Sequence, residues 1–347
     1  MYFKKILLAI IALGLFGMAV FAYYVNKVMF IENTAFDNKT AYVYISREDS
    51  YSKVIDQLTP LLKDIKTFDA LAKQKKYDTH IKSGRFVIER GMNNNAIINS
   101  IRSNNIPLRI SFNNQHDIEK LAVRLSEQLD FSAHIFLESV LDSSFLASNN
   151  FKRETILGMF IPNSYDVYWD TTPENFRQKM VKEYLKFWNA SRLNKAKHIG
   201  LSPIEVISLA SIVHEESKQI LEQPTIAGVY LNRLKIQMPL QADPTLKFAL
   251  YHQENYEGKE IKRILNKHKL IESPYNTYKY TGLPPGPIAM PDISAIDAVL
   301  NPDKHRYIYF VANPSKLGYH TFAKTLSEHN RNARKYHNYL NSKHILN

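Results

Sequence analysis

Three titratable side chains end an apolar run in the segment IVHEES, Ile212–Ser217. His214, Glu215 and Glu216 follow a stretch from Pro203 that is otherwise typical of a buried helix. Partial burial raises the pKa of a carboxyl group toward neutrality, which is what a general acid requires. We therefore interpret this segment as a candidate site of acid–base chemistry.

The helix that carries these residues has a well-marked start. Ser202 suits the N-cap and Pro203 the first helical position, and Glu205 lies where it closes a capping box. We expect the helix to run from here toward Lys218.

The two glutamates fall on different faces of this helix, because each residue turns it by about 100°. Glu216 projects beside Leu209 on the apolar face, and Glu215 projects beside Ser208 and Ser211 on the polar face. We expect the Glu216 carboxyl to be partly dehydrated, and the dipole at the helix C-terminus disfavours its charge further. Glu215 is most simply a solvated residue.

An ion pair with Arg233 or Lys218 is the competing interpretation of Glu216. A zinc site is excluded, because His214-Glu215 would need a second histidine at position 218, where the chain has lysine. The chain has no cysteine, no nucleotide-binding glycine pattern and no G-x-S-x-G motif. We therefore expect neither a metal nor a cofactor.

The composition is that of a globular protein with room for two folded units: 347 residues, 45% hydrophobic and 22% charged. The formal net charge of +12 favours an anionic partner such as nucleic acid, lipid head groups or a cell-wall polymer.

The N-terminus narrows this choice. Residues 6–25 include no charged side chain and are long enough to span a hydrocarbon core of about 30 Å as a transmembrane helix. Because Lys4 and Lys5 precede them, residues 1–5 form a cytoplasmic tail and the rest lies outside. The alternative is a cleaved signal peptide, with Val20-Phe21-Ala22 as a weak cleavage site. Either way the body is extracytoplasmic, at a single-pass plasma (inner) membrane anchor if the helix is retained, and a nucleic-acid partner is disfavoured.

The rest of the chain predicts an α+β fold. In an α+β module at 26–112, strands at 40–45, 85–89 and 107–112 accompany helices at 50–66 and around 97–101. A helical connecting region at 113–200 has helices at 118–129, 133–142 and 173–189, an aromatic loop at 159–169 and a hinge at 190–200. A final domain at 201–347 has helices from Ser202, Gln223 and Asp243 and at Ile293–Leu300, and strands at 307–312 and 319–323.

Five blocks of the final domain closely resemble the endolytic murein transglycosylase (YceG-like) family. They are ASIVHEES, VYLNRLKIQMPLQADPTLKFAL, SPYNTYKYTGLPPGPIAMP, YIYFVAN and HTFAKTLSEHN, in the family's order and approximate spacing. The layout of the N-terminal half resembles the family too, so the resemblance covers nearly the whole chain. It implies a LysM-like α+β module at 26–112 and a mixed α+β catalytic domain at 201–347.

The resemblance implies that Glu216 is catalytic, as the second glutamate of the family segment A-S-I-[IV]-E-K-E. His214 and Glu215 depart from that pattern, and His214 is a candidate for tuning the pH response. The implied reaction cleaves the β-1,4 bond between N-acetylmuramic acid and N-acetylglucosamine in nascent glycan strands, leaving a 1,6-anhydromuramoyl end. A hydrolase typically needs a second carboxylate, whereas an internal hydroxyl nucleophile acts at high effective molarity.

The resemblance also implies substrate contacts for a set of polar residues: Asn232, Arg233, Gln241, Asp243, Thr245, Tyr275, Asn276 and Thr277. Asp243 has an alternative role as the N-cap before Pro244. Asn232 and Arg233 are alternatively a pair that braces Glu216.

Peptidoglycan glycan strands are the implied substrate, glycan-polymerising synthases are implied partners, and termination of glycan polymerisation is an implied role. A spacer that sets the reach from the membrane is the alternative to glycan binding for the LysM-like module. The rival functions are a non-catalytic peptidoglycan-binding or scaffold protein, which would tolerate glutamine at position 216, and a water-using muramidase, which would leave reducing ends.

Overall fold

A computed structural model describes residues 2–253, 256, 261 and 263–343. The helices described there are α1 Tyr2–Met29, α2 Tyr51–Leu58, α3 Ile65–Gln74, α4 Asn94–Ser103, α5 Ile118–Ser126, α6 Ala133–Val140, α7 Ser143–Ser148, α8 Pro173–Phe187, α9 Ala190–Ile199, α10 Pro203–Glu216, α11 Gln223–Lys235, α12 Asp243–Tyr251, α13 Ile293–Leu300 and α14 Leu326–Ser342. The strands are β1 Thr40–Ile45, β2 Gly84–Glu89, β3 Leu108–Phe112, β4 Asn163–Val167, β5 Tyr309–Ala312 and β6 His320–Ala323. They form the two-stranded sheets β1–β2, β3–β4 and β5–β6, which confirms the predicted mixture of helix and sheet.

The chain forms two compact units. The first comprises Met1–Ile110, Gln128–Phe131 and Tyr165–Thr172, and the second comprises Ser111–Glu127, Ser132–Ser164 and Pro173–Asn347. The predicted connecting region at 113–200 is therefore divided between them. Most of it belongs to the unit that also contains the predicted catalytic domain.

The first unit is built on the antiparallel pair β1–β2, in which Thr40 lies opposite Glu89 and Ile45 opposite Gly84. Every second side chain of each strand is buried, as expected for a sheet with one covered face. Helices α2, α3 and α4 and the last turn of α1 pack on that face. The unit therefore has its own hydrophobic core.

The predicted helix at 50–66 is wrong, because two helices occupy this stretch. α2 ends at Leu58 and a 3₁₀ turn covers Thr59–Leu61. Pro60 lies in that turn, and its missing N–H is incompatible with a helix interior. Asp64 then starts α3 by accepting bonds from the N–H groups of Lys66 and Thr67 at 3.1 and 3.2 Å.

Two predicted irregular segments contain regular structure. The aromatic segment at 159–169 includes β4, and the supposed hinge at 190–200 is helix α9. α9 starts at the side-chain cap of Asn189 and ends at Gly200, whose φ of 77° suits glycine. Helices α7 and α14 were not predicted from the sequence, although Thr325 and Glu328 form a capping box at the start of α14.

The second unit is organised around α10, which packs against α11, α12 and α13. Its N-terminus is as predicted, with Ser202 and Glu205 forming the capping box. The prediction of a solvated polar face is wrong, because Ser208 is 3% exposed and Ser211 is fully buried. Their hydroxyls donate to carbonyls of the preceding turn, and Ser211 also accepts the N–H of Ile288 at 3.0 Å.

Helix α1 has the length and composition to cross a membrane, with a mean hydropathy of 2.5 over its most apolar window. Signal sequences at an N-terminus share these properties. The predicted apolar N-terminal helix is therefore present in the described residues.

Candidate active site

Glu216 is the last residue of α10 and is partly exposed. One of its carboxylate oxygens, Oε1, accepts a hydrogen bond from the hydroxyl of Tyr230 at 2.7 Å. Tyr230 is on α11, only 1% exposed, and its ring packs edge-on against Phe310 of β5. The hydroxyl is therefore held in place, and Oε2 has no hydrogen bond within the described part of the chain.

Burial raises the pKa of Glu216 to about 7, and the nearby negative charge of Asp243 adds to this effect. The Tyr230 hydrogen bond and the positive charges of Arg233 and Lys247 act in the opposite direction. A carboxyl group with this pKa is present in both protonation states near neutral pH. It can therefore serve as an acid and, once deprotonated, as a base.

The neighbouring carboxylate is arranged differently. Glu215 lies 3.3 Å from the ammonium of Lys218, which also donates to the His214 carbonyl at 3.1 Å. Lys218 is thereby engaged with Glu215, and the alternative of a Glu216–Lys218 pair is wrong.

His214 is 4% exposed, and burial lowers its pKa. Its Nδ1 lies 3.4 Å from a carboxylate oxygen of Asp292, and its Nε2 lies 3.8 Å from Glu215. A neutral imidazole packed under the end of α10 is the form that this environment favours.

The residue after Glu216 is fixed by a buried polar cluster. The hydroxyl of Ser217 lies 3.3 Å from Oε2 of Glu222, and the amide of Gln223 donates to the Ser217 carbonyl at 3.1 Å. Glu222 is itself 5% exposed and accepts the backbone N–H of His320 at 2.7 Å, with the ring Nδ1 at 2.9 Å. This cluster ties the end of α10 to β6.

Arg233 and Asn232 brace the site through carbonyl groups. Arg233 donates to the carbonyls of Ile308 and Leu240, both at 2.6 Å. Asn232 donates to the carbonyls of His305 and Tyr307, both at 3.0 Å. Arg233 makes no ion pair with Glu216 in the described structure, and acts on its charge from a distance.

Asp243 is the first residue of α12, whose N-cap is Ala242, so the predicted N-cap role of Asp243 is wrong. Its carboxylate instead accepts the hydroxyl of Tyr278 at 2.6 Å. Gln241 is exposed, has a φ of 49° and donates its N–H to the carbonyl of Thr277 at 2.9 Å. Asp243 and Gln241 are thus the exposed members of the predicted substrate-binding set.

Thr245, Asn276 and Thr277 are buried and hold two segments together. The hydroxyls of Thr245 and Thr277 lie 2.8 Å apart, and Thr277 also accepts the N–H of Ala242 at 3.0 Å. Asn276 donates to the carbonyls of Lys269 and Ile271, at 3.0 and 2.9 Å. Substrate contact by these three residues stays a prediction.

Tyr275 is partly exposed, and its ring centroid lies 4.6 Å from that of Phe248 on α12. The adjoining loop is closely packed at Gly286, where an added Cβ would lie 1.9 Å from the carbonyl oxygen of Glu154. Only glycine fits there.

Four residues of the site were not singled out from the sequence: Tyr230, Tyr278, Lys247 and Glu222. Each acts through a contact or charge between segments distant along the chain. Tyr230 and Arg233, three residues apart on α11, share a helix face, and this spacing was the available signal. Among the described residues no group of three or more His, Asp or Glu side chains could hold a metal ion.

Comparison with known proteins places these features in a family. The YceG-like family matches residues 43–335. An endolytic murein transglycosylase of Bacillus subtilis is 30% identical over 306 residues, which are 80% of this chain and 82% of the relative. One from Streptococcus pneumoniae is 27% identical over 304 residues, 78% of this chain and 53% of the relative.

A crystal structure of a yceG-like protein from Listeria monocytogenes is also similar. It is 27% identical, with a TM-score of 0.56, covering 85% of this chain and 99% of that one. Since the family match extends over most of its length, this chain belongs to the YceG-like family.

Proposed function

We propose that the chain is a peptidoglycan lytic transglycosylase that uses Glu216 as its single acid and base. The observation that carries this proposal is the Glu216 carboxyl itself, with a pKa of about 7, one oxygen held by Tyr230 and the other available. The names of the relatives from B. subtilis and S. pneumoniae support the same activity.

The proposed reaction needs one titrating group. Protonated Glu216 gives its proton to the glycosidic oxygen as the bond from that oxygen to C1 of the muramoyl residue breaks. The C6 hydroxyl oxygen of the same residue bonds to C1, and its proton passes to the Glu216 carboxylate. One C–O bond is broken and one is formed, no water is consumed, and Glu216 ends as it began.

Tyr230 and Asp243 favour different protonation states of Glu216. The Tyr230 hydroxyl donates to Glu216 and stabilises the carboxylate that is left after proton donation. Asp243 raises the pKa of Glu216 and so favours the protonated form that starts the reaction. Both side chains are fixed by neighbours on other elements.

A hydrolytic muramidase is the second candidate, because Asp243 places a second carboxylate near Glu216. Hydrolysis needs such a group to activate water or to form a covalent intermediate. The hydroxyl of Tyr278, 2.6 Å from Oδ1 of Asp243, already occupies one oxygen of that carboxylate, which favours the lytic reaction.

Product mass spectrometry of purified glycan strands treated with the full-length chain in detergent tests the proposal. We expect anhydromuramoyl ends with the wild type and a loss of activity of about 10²–10⁴-fold with Glu216→Gln. Glu215→Gln is the matched control, because it changes the adjacent carboxylate, and we expect it to retain activity. Reducing ends would identify the muramidase, and full activity of Glu216→Gln would leave only the non-catalytic peptidoglycan-binding or scaffold function.

The finer assignments belong to the same proposal. The apolar helix α1 supports a retained single-pass anchor, with the rest of the chain on the extracytoplasmic side. The order strand, helix, helix, strand in residues 40–89 supports a LysM-like module that holds glycan. An anchor at the membrane would place the chain where nascent glycan strands emerge from polymerising synthases. Cleavage there would end the growth of those strands.

A further inference from the structure

A cavity lies in the second unit, and Glu216 is not among its lining residues. The cavity has a volume of roughly 470 Å³, within the range of ligand pockets. Its walls come from the start of α5, residues 153–157, the end of α12 and residues 272–275.

One wall of the cavity is aromatic. The ring of Phe248 lies between those of His252 and Tyr275, with centroid distances of 4.2 and 4.6 Å and interplanar angles of 40° and 46°. These tilted rings present an apolar surface, suited to methylene groups and, through the electron-rich ring faces, to a cation.

Four carboxylates and one guanidinium line the cavity, and three of the carboxylates have a cationic partner, in the case of Asp117 the ammonium of Lys120 at 3.4 Å. Glu119 pairs with Arg153 at 2.8 Å, and Glu272 pairs with Lys279. Asp117 caps α5 and accepts from the N–H of Lys120. The fourth, Glu154, is exposed, and its carboxylate has no hydrogen bond or ion pair in the described part of the chain.

The unpaired carboxylate lies near the aromatic wall. Burial raises the pKa of Tyr275 to about 12, and the charge of Glu154 contributes to that rise. A ligand against the rings would thus have a negative charge within reach.

The segments that form this wall also reach Glu216. α12 begins with Asp243 and carries Phe248 five residues later, about 7.5 Å along the helix axis. The loop that carries Tyr275 continues to Tyr278, which bonds to Asp243. A glycan strand bound at Glu216 would therefore lie beside the same helix and loop that line this cavity.

We propose that the cavity binds the amine-bearing side chain of a peptidoglycan peptide stem. This rests on the proposed function, since such stems branch from the muramoyl residues of the glycan. The alkyl part of a diamino acid would lie on the rings of Phe248 and Tyr275, and its ammonium group would bond to Glu154. A neutral sugar would use the rings but would not need the unpaired carboxylate.

A binding experiment tests the site directly. The full-length chain in detergent is titrated calorimetrically with a short stem peptide that carries a free lysine amine, and with the same peptide acetylated on that amine. We expect acetylation to weaken binding about fivefold, the upper range for an exposed ion pair. Glu154→Gln should weaken binding of the free peptide equally and leave binding of the acetylated peptide unchanged.

The matched control is Glu138→Gln, which removes another exposed carboxylate of the second unit and should change nothing. Equal affinity for the two peptides, or equal effects of the two substitutions, would overturn the proposal.

Cleavage assays separate this proposal from the proposed function. On strands with free or acetylated stems we expect KM to differ about fivefold for the wild type, with kcat unchanged, and to be equal for Glu154→Gln. Cleavage with equal KM on both strands would reject the stem site alone. Binding that depends on Glu154, without cleavage of any strand, would reject the enzyme alone.

Discussion

Asn94 of the first unit and Glu216 of the second unit are polar side chains held in different ways. In the first unit Asn94 is fully buried, donates to the Val28 carbonyl and the Thr67 hydroxyl at 2.9 and 3.2 Å, and accepts from Asn33. In the second unit Glu216 is partly buried and, among the residues that the structure describes, has one hydrogen bond, from Tyr230. The first group is neutral and fully partnered, and the second is ionisable and under-partnered.

This difference separates structural from chemical roles. A neutral amide with all its partners stabilises the fold at any pH, because it has no proton to gain or lose. A carboxyl group with few partners has a free energy that depends on pH, and the same property makes it a proton donor. The comparison therefore predicts a pH-dependent change in stability when Glu216 is replaced and a pH-independent change when Asn94 is replaced.

The largest expected effect on stability is at Glu216. Its pKa is about 7 in the folded chain against an ordinary value of 4.5. As the pH rises, the carboxyl therefore loses its proton at a lower pH in the unfolded chain than in the folded chain. The free energy of unfolding should fall as the pH rises from 4.5 to 7 and then level off. Since one pKa unit corresponds to about 1.4 kcal/mol, the fall is up to about 3 kcal/mol.

Glu216→Gln should remove that fall, so the variant is more stable than the wild type at pH 8 and equal to it at pH 4. The chain has two tryptophans, and Trp188 lies in the core of the second unit. Urea unfolding followed by Trp188 fluorescence in a Trp169→Phe background measures this unit alone. Equal pH dependence of the two proteins would show that Glu216 is not dehydrated.

Asn94→Ala should lower the free energy of unfolding by about 2 kcal/mol, because the Val28 carbonyl and the Asn33 amide lose their partner. The loss should be the same from pH 5 to pH 8. Unfolding followed by Trp169, which lies in the first unit, in a Trp188→Phe background measures it. Asn99→Ala, at an exposed position of the same helix, is the matched control, and a loss as large there would refute the role of the hydrogen bonds.

The hydrogen bond from Tyr230 is the next effect in size. Tyr230→Phe removes a donor that lowers the pKa of Glu216, so the pKa should rise and the alkaline limb of the cleavage profile should move to higher pH. Loss of a charge-assisted bond to the carboxylate should lower kcat about tenfold. Tyr280→Phe, a tyrosine that bonds to Glu272 instead, should leave the profile unchanged. An unmoved limb in Tyr230→Phe would assign the titration to another group.

Helical periodicity singled out Glu216 from Glu215 because a helix face is a local property, and the resemblance then assigned Glu216 the catalytic role. The same reasoning failed for Ser208 and Ser211, since packing from several sides buries α10 all round. The local sequence pattern also predicted β1 and α13 with the same first and last residues as in the structure. They failed at Pro60, where a breaker inside an apolar pattern was overlooked.

Contacts between distant segments could not be predicted from spacing. Tyr230 donates a hydrogen bond to Glu216 from another helix. Asp243 accepts a hydrogen bond from Tyr278 and is not the N-cap that its position before Pro244 suggested. The resemblance identified the segments that meet at the site. It gave no means of telling the buried Asn276 and Thr277, which hold the loop, from exposed residues near the carboxyl.

Glu222 gives the smallest and most specific effect. It is a buried carboxylate with three donors around it, from Ser217 and from the backbone and ring of His320, and thus has the satisfied character of Asn94 within the unit of Glu216. In Glu222→Gln an amide N–H₂ replaces one acceptor and faces a donor, so the end of α10 should shift slightly. We expect kcat to fall about fivefold, a loss of about 1 kcal/mol, while KM and the pH limb of Glu216 stay unchanged.

Steady-state cleavage kinetics at several pH values measure this split, and Glu328→Gln, which alters the cap of α14, is the control for a general effect on folding. A rise in KM with unchanged kcat would place Glu222 in substrate binding. Unchanged kinetics with lower stability would make it a structural residue like Asn94. A fall in kcat alone would mean that the position of Glu216 depends on Glu222, six residues away. Glu216, which has few hydrogen-bond partners, would then be held in place by a carboxylate whose partners are complete.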